Sequence, residues 1–162
     1  MWTDSLDAIL YRRVSRTRQP LSTEGSRTNG GRYNHPGVPA LYLACSPEIA
    51  RLEFEKHSRK VGLAVSKPGM TVSVEAHLER VLDLTSPEVR SELGVSLEDL
   101  CGESPHRTRS IGDAARLAGY QGIRYPAAVD PTGSNVVVFE ENAGEGALQI
   151  VARDDDWPQE SK

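Results

Sequence analysis

At 162 residues, 38% hydrophobic and 26% charged with the two signs mixed, the chain has the make-up of one globular domain with a real core. A net charge of −4 with no basic block argues against binding of DNA or bulk RNA by this chain. No apolar run reaches the length of a membrane span, and "MWTDSLDAILYRR" lacks the basic and apolar regions of a signal peptide, so a cytoplasmic protein that does not enter a membrane is expected.

In chain order, Ala8 to Val14 ("AILYRRV") reads as a first strand. The polar stretch "SRTRQPLSTEGSRTNGG" reads as a loop, long enough in a small domain to be functional or mobile. "ALYLA", Ala40 to Ala44, is a short apolar strand. A helix then opens on Ser46 as N-cap, Pro47 in the first turn and Glu48 against the positive helix end, running to about Arg59. Met70 to Thr85 holds one or two strands. "SPEVRSELG" repeats the Ser-Pro-Glu opening at Ser86 and closes on Gly94. In "SIGDAARLAGY", Ser110 and Asp113 form a candidate capping box for a helix ending near Gly119. "GIRYPAA", "NVVVFEE" and "ALQIVAR" read as three further strands, and the tail "DDDWPQESK" as a frayed charged end. Strands and helices mix without a regular βαβ rhythm, which indicates an α+β domain.

The common catalytic signatures are missing: there is no P-loop, no GxGxxG, no GxSxG and no HExxH. Cys45 and Cys101 form no CxxC pair, and His35, His57, His77 and His106 lack metal-ligand spacing, so no metal site is expected. The stretch "NGGRYNHPG" carries more polar and aromatic chemistry than a turn requires. On the helix that follows, Ser46, Ile49, Ala50, Glu53 and His57 share one face, while Glu48, Arg51, Glu55 and Arg59 make a solvated stripe of alternating sign. Glu53 is thereby turned inward, where a carboxylate needs a partner, and Arg32 and Tyr42 are the nearest candidates. A structural Arg32–Glu53 ion pair with Tyr42 and Tyr33 as core rings accounts for the same pattern without a ligand. His57 alone on a helix reads as structural, and capping explains Ser46, Ser86 and Ser110.

These residues resemble the RES-domain toxins of bacterial toxin–antitoxin pairs. The resemblance runs from "LYRRV" through "STEGSRTNGGRYNHPGVPALYLACSPEIARLEFEKH" to "TRSIGDAARLAGYQGIRYPAAVDPTGSNVVVF". It implies one compact RES-type domain over residues 1–152 followed by a charged tail, 153–162. The implied fold is ADP-ribosyltransferase-like, with a mixed, split β-sheet and flanking helices. The implied activity is consumption of NAD+ as substrate, by hydrolysis, phosphorolysis or transfer of ADP-ribose to a protein, with no prosthetic group and no metal. An Xre-type helix-turn-helix antitoxin is the implied partner.

By resemblance, Glu53, Arg32 and Tyr42 are the catalytic candidates, and Arg12, Tyr33, Ser46 and Asn135 the candidates for NAD+ contacts. Glu53 would stabilise positive charge on the ribose as the nicotinamide bond breaks, Arg32 would bind pyrophosphate or ribose, and Tyr42 or Tyr33 would line the nicotinamide pocket. Gly30 and Gly31 would let backbone approach that ligand. The family's serine falls on Ala127 in "YPAAV", a departure that Ser134 is a candidate to compensate. That departure raises a second reading, a degenerate antitoxin-binding module. A transferase acting on one host protein is a third, and a ribonuclease toxin is disfavoured by the acidic balance.

Overall fold

The structure is a computed structural model and describes residues 3–60 and 69–154. In chain order the elements are β1 (Thr3–Ser15), α1 (Glu24–Asn29), β2 (Ala40–Ala44), α2 (Pro47–Lys60) and β3 (Gly69–Asp83). Then follow α3 (Pro87–Leu93), α4 (Leu97–Cys101), α5 (His106–Leu117), β4 (Gly122–Ala127), β5 (Asp130–Phe139), α6 (Glu140–Ala143) and β6 (Leu148–Asp154). No helix among these is long and apolar enough to cross a membrane.

The strands form one six-stranded mixed sheet in the order β1-β2-β5-β4-β3-β6, and β1 also pairs with β3, so five strands close into a ring with β6 added outside it. Only β3–β4 is parallel; the other pairings are antiparallel. The α+β expectation holds. Met70 to Asp83 is one continuous strand, long enough to pair with β1 on one edge and with β6 and β4 in turn on the other.

Inside the ring, Leu10, Val14, Leu41, Leu43, Val72, Val74, Val136 and Val138 make an aliphatic core. The outer face of β4 and β5 is covered as well: Ile123, Tyr125, Val137 and Phe139 pack against Tyr33, Leu100 and Ala115. This double cover explains why "VVVF" in β5 is apolar without alternation. A small patch of Ala44, Ile49, Ala50 and Ala127 seats α2.

Helix α2 starts as expected, with the Ser46 Oγ accepting from the Ile49 amide at 3.1 Å. Its outer stripe forms Arg51–Glu48 and Arg51–Glu55 pairs at 3.0 and 2.9 Å. Helix α3 is capped by Ser86 and closed by left-handed Gly94. The Ser110–Asp113 capping box does not form. Helix α5 begins five residues earlier than that box requires, at His106, whose amide donates to the Ser104 Oγ. Ser110 is an interior helix residue bonded back to the His106 carbonyl, and Asp113 faces His35 and Arg116. The loop before β2 contains the short helix α1, and α4 has a true capping box in Ser96 and Asp99. Strand β6 runs to Asp154, two residues past the expected domain end at 152; the rest of the charged tail lies outside the described residues.

Candidate active site

The turn between α1 and β2 is held on all sides by protein groups. Asn34 is 1% exposed, and its Nδ2 donates to the carbonyls of Ser26 and Val38, both at 2.9 Å. Its Oδ1 accepts from the Tyr42 hydroxyl at 2.6 Å, and that hydroxyl accepts in turn from the Tyr33 amide at 2.8 Å. Strand β2 therefore reaches back through Tyr42 to fix the turn that precedes it. Burial is the main reason that the Tyr42 hydroxyl is pushed well above its ordinary pKa.

Helix α5 grips the same turn from the other side. The Arg109 Nε donates to the Gly31 carbonyl at 2.9 Å, and the Thr108 hydroxyl donates to the Arg32 carbonyl. At Gly112 a methyl group would stand 1.9 Å from the Tyr33 carbonyl oxygen, so helix and turn touch backbone to backbone.

The two glycines answer to this packing. Gly30 has φ +78°, and a Cβ there would lie 2.6 Å from the Arg109 Nη2. A Cβ on Gly31 would lie 2.6 Å from the Tyr42 hydroxyl oxygen. The expectation that they open space for a ligand is corrected: they make room for Arg109 and Tyr42.

Arg32 leaves this turn toward α4. Its Nη1 donates to the Leu100 and Gly102 carbonyls at 3.0 and 2.7 Å, satisfying carbonyls at the helix C-terminus. The anticipated Arg32–Glu53 ion pair is not formed among the described residues. Among the described residues its Nη2 and Nε make no hydrogen bond.

Glu53 is half-buried, and its Oε2 accepts from the Asn135 Nδ2 at 2.7 Å. The sheet register explains the pairing. Asn135 lies between Ala44 of β2 and Tyr125 of β4, and α2 starts directly after Ala44, so its second turn passes over Asn135. Asn135 is 5% exposed and its Oδ1 has no partner among the described residues, an acceptor left open beside the Glu53 carboxylate.

Tyr125, not singled out from the sequence, joins the two halves. Its ring centroid is 4.4 Å from that of Tyr33, and its hydroxyl, raised chiefly by burial, also feels the charges of Glu53 and Arg32. The arrangement is a rigid cationic turn and an acid–amide pair brought to one face of β4 and β5.

Four of the expected side chains are enclosed or engaged within the protein. Tyr33 is fully buried, its hydroxyl without a partner, so its ring is a core ring and does not line an open pocket. Arg12 braces the β1–α1 loop through the Pro20 and Ser22 carbonyls at 2.8 and 3.0 Å, and burial with nearby Arg18 pushes it down to about 10. The Ser46 hydroxyl is engaged in the helix cap. Ser134, whose Oγ donates to the Cys45 Sγ and accepts from the Arg124 Nε, projects to the sheet face opposite Asn135 and does not replace a hydroxyl at Ala127. Ala127 itself is sealed beneath Ile49 and Ala50.

Residues 9–160 match the RES domain family. The chain belongs to that family. It is 32% identical over 146 residues to the NAD(+) phosphorylase MbcT of Mycobacterium tuberculosis, covering 86% of this chain and 77% of that one. It is 33% identical over 125 residues to a probable NAD(+) phosphorylase of the same organism, covering 76% of this chain and 60% of the relative. The fold is similar to that of the M. tuberculosis MbcT–MbcA toxin–antitoxin complex, with a TM-score of 0.84 at 30% identity over 94% of this chain and 86% of that one. In this RES chain Glu53 pairs with Asn135, and Arg32 and Tyr42 belong to the turn packed on the same face.

Proposed function

We propose that this RES protein is a toxin that cleaves the nicotinamide–ribose bond of NAD+, passes the ADP-ribosyl group to inorganic phosphate, and is restrained by an antitoxin. The observation that carries the reading is Glu53 beside Asn135, a half-buried carboxylate with a buried amide oxygen open next to it. Ribose hydroxyls are donors, and this pair offers acceptors for them. The names of the relatives, phosphorylases in each case, favour phosphate over water as acceptor.

Breaking the bond between nicotinamide nitrogen and the ribose anomeric carbon builds positive charge on the sugar. A carboxylate held at the hydroxyls stabilises that charge where it develops, at a group already oriented by Asn135. The nitrogen leaves with the bonding pair as neutral nicotinamide, and a phosphate oxygen forms the new bond to the anomeric carbon, giving ADP-ribose 1-phosphate. Arg32, with two of its three nitrogens unengaged, is placed to bind a phosphoryl oxygen or the entering phosphate. Tyr42 acts as a positioning residue, because its hydroxyl is committed to the turn.

The antitoxin reading rests on the fold shared with a toxin–antitoxin complex, and a helix-turn-helix protein of the Xre type is the partner proposed. The substrate pool is cytoplasmic NAD+. The test is incubation of the purified protein with NAD+ and phosphate, followed by mass detection of nicotinamide and ADP-ribose 1-phosphate. Free ADP-ribose would indicate hydrolysis, and label retained on a protein would indicate transfer. No nicotinamide release above a Glu53→Gln variant would remove the proposal.

A further inference from the structure

On the other face of the hairpin, a cavity of about 290 Å3 opens between the end of β3, helix α3 and the β4–β5 connection, lined by Arg90, Arg124, Thr85, Thr132 and Ser134 among others. Strand alternation separates it from the Glu53 site. Arg124 and Ser134 point to one side of β4 and β5, whereas Tyr125 and Asn135 point to the other.

Arg90 and Arg124 are the charged residues of the lining. Among the described residues neither guanidinium has a carboxylate within ion-pair distance. The Arg90 Nη1 donates to the Leu84 carbonyl at 2.9 Å, and the Arg124 Nε to the Ser134 hydroxyl at 3.3 Å, which orients both side chains and leaves other N–H groups of each without an acceptor among the described residues. Two carboxylates border the wall, each through a threonine of the lining. The Asp83 Oδ1 accepts from the Thr85 amide and hydroxyl, and the Asp130 Oδ1 from those of Thr132. Ser134 is 7% exposed and locked by Cys45 and Arg124, so the wall behind the arginines is preformed.

We propose that this cavity is an oxyanion site of the phosphate class, distinct from the Glu53 site. Two half-buried guanidiniums with no ion-pair partner among the described residues line one concave wall and supply the forked N–H donors that a tetrahedral dianion accepts, while the Thr85, Thr132 and Ser134 hydroxyls donate within the protein. The cavity is larger than a bare phosphate requires, so the phosphate of a small nucleotide is the second source of the same chemistry.

The test is calorimetric titration of the full chain with inorganic phosphate and, in a second arm, with AMP. It reads binding directly and needs no cleavage of NAD+, and repeating it in Arg32→Gln removes the phosphate contact proposed at the Glu53 site, so that only the Arg124-dependent binding remains. Phosphate binding that falls at least tenfold in both Arg124→Gln and Arg90→Gln, recovers in part in Arg124→Lys and is unchanged in Glu53→Gln is the expected result. AMP binding with the same dependence on Arg124 assigns the site to a nucleotide's phosphate; phosphate binding alone assigns it to the free ion. Melting curves of each variant establish that it is folded, and Arg124→Gln, which removes no backbone contact, carries the test should Arg90→Gln unfold. Absence of binding in both arms, binding indifferent to Arg124, or binding lost in Glu53→Gln overturns the proposal.

Discussion

The Gly30–Asn34 turn and the Glu53–Asn135 pair lie close together and are built in opposite ways. In the turn, almost every polar group is satisfied: Asn34, Tyr42, Thr108 and Arg109 hold four successive residues. At the pair, a single hydrogen bond joins a half-buried acid to an amide whose other end is open. One region is satisfied by the protein and is therefore scaffold. The other is left for something else to satisfy, which is what a site looks like before its substrate arrives.

The sharpest way to break this contrast is at the acid. Glu53→Gln keeps shape and the bond to Asn135 but removes the charge, so NAD+ consumption should fall by about 100-fold or more while the melting temperature stays near wild type. Asn135→Ala comes next: it frees Glu53 from its one recorded partner, and a loss of roughly 10- to 100-fold in kcat is expected, read from initial rates of nicotinamide release.

In the turn the order of effects reverses, with stability moving more than chemistry. Tyr42→Phe leaves the Tyr33 amide without its acceptor and the Asn34 Oδ1 without its donor, which should cost about 1–3 kcal/mol of unfolding free energy in denaturant titration. Activity should fall by less than in Glu53→Gln, once measured on the folded fraction.

The smallest effect is expected at Tyr33. Its hydroxyl is buried without a partner, so Tyr33→Phe should leave the KM for NAD+ unchanged and hold or raise stability by up to about 1 kcal/mol at neutral pH. The same variant carries a pH signature. Burial raises the Tyr33 pKa above the ordinary 10.0, so its hydroxyl stays neutral in the fold while the unfolded chain ionises. The associated stability is full below pH 10 and is lost as pH rises beyond it. Wild type should therefore lose stability above pH 10 more steeply than Tyr33→Phe.

The elements with a strong local cause could be read from the chain. Strand β2 and helix α2 follow from a five-residue apolar run ended by Ser46 and Pro47. The inward direction of Glu53 follows from Ile49 and Ala50 on the same helical face. What escaped was set by tertiary partners. Asn135 was identified only through a family resemblance, because its role depends on a register that sets Ala44 and Tyr125 on either side of it. The Arg32–Glu53 pair was expected from proximity in sequence, but α4, whose Ser96–Asp99 capping box was legible and not used, offers Arg32 two carbonyls instead. Thr108 and Arg109 carried no motif at all; only the approach of α5 to the turn gives them work.

Gly112, the helical residue pressed against the Tyr33 carbonyl, acts as a spacer of zero thickness. Any larger side chain there must push α5 and the Arg32 loop apart, and the loop carries the guanidinium with it. Graded replacement at this one remote position is therefore a dial for attenuation: it would weaken the proposed activity stepwise while leaving every reacting group chemically intact.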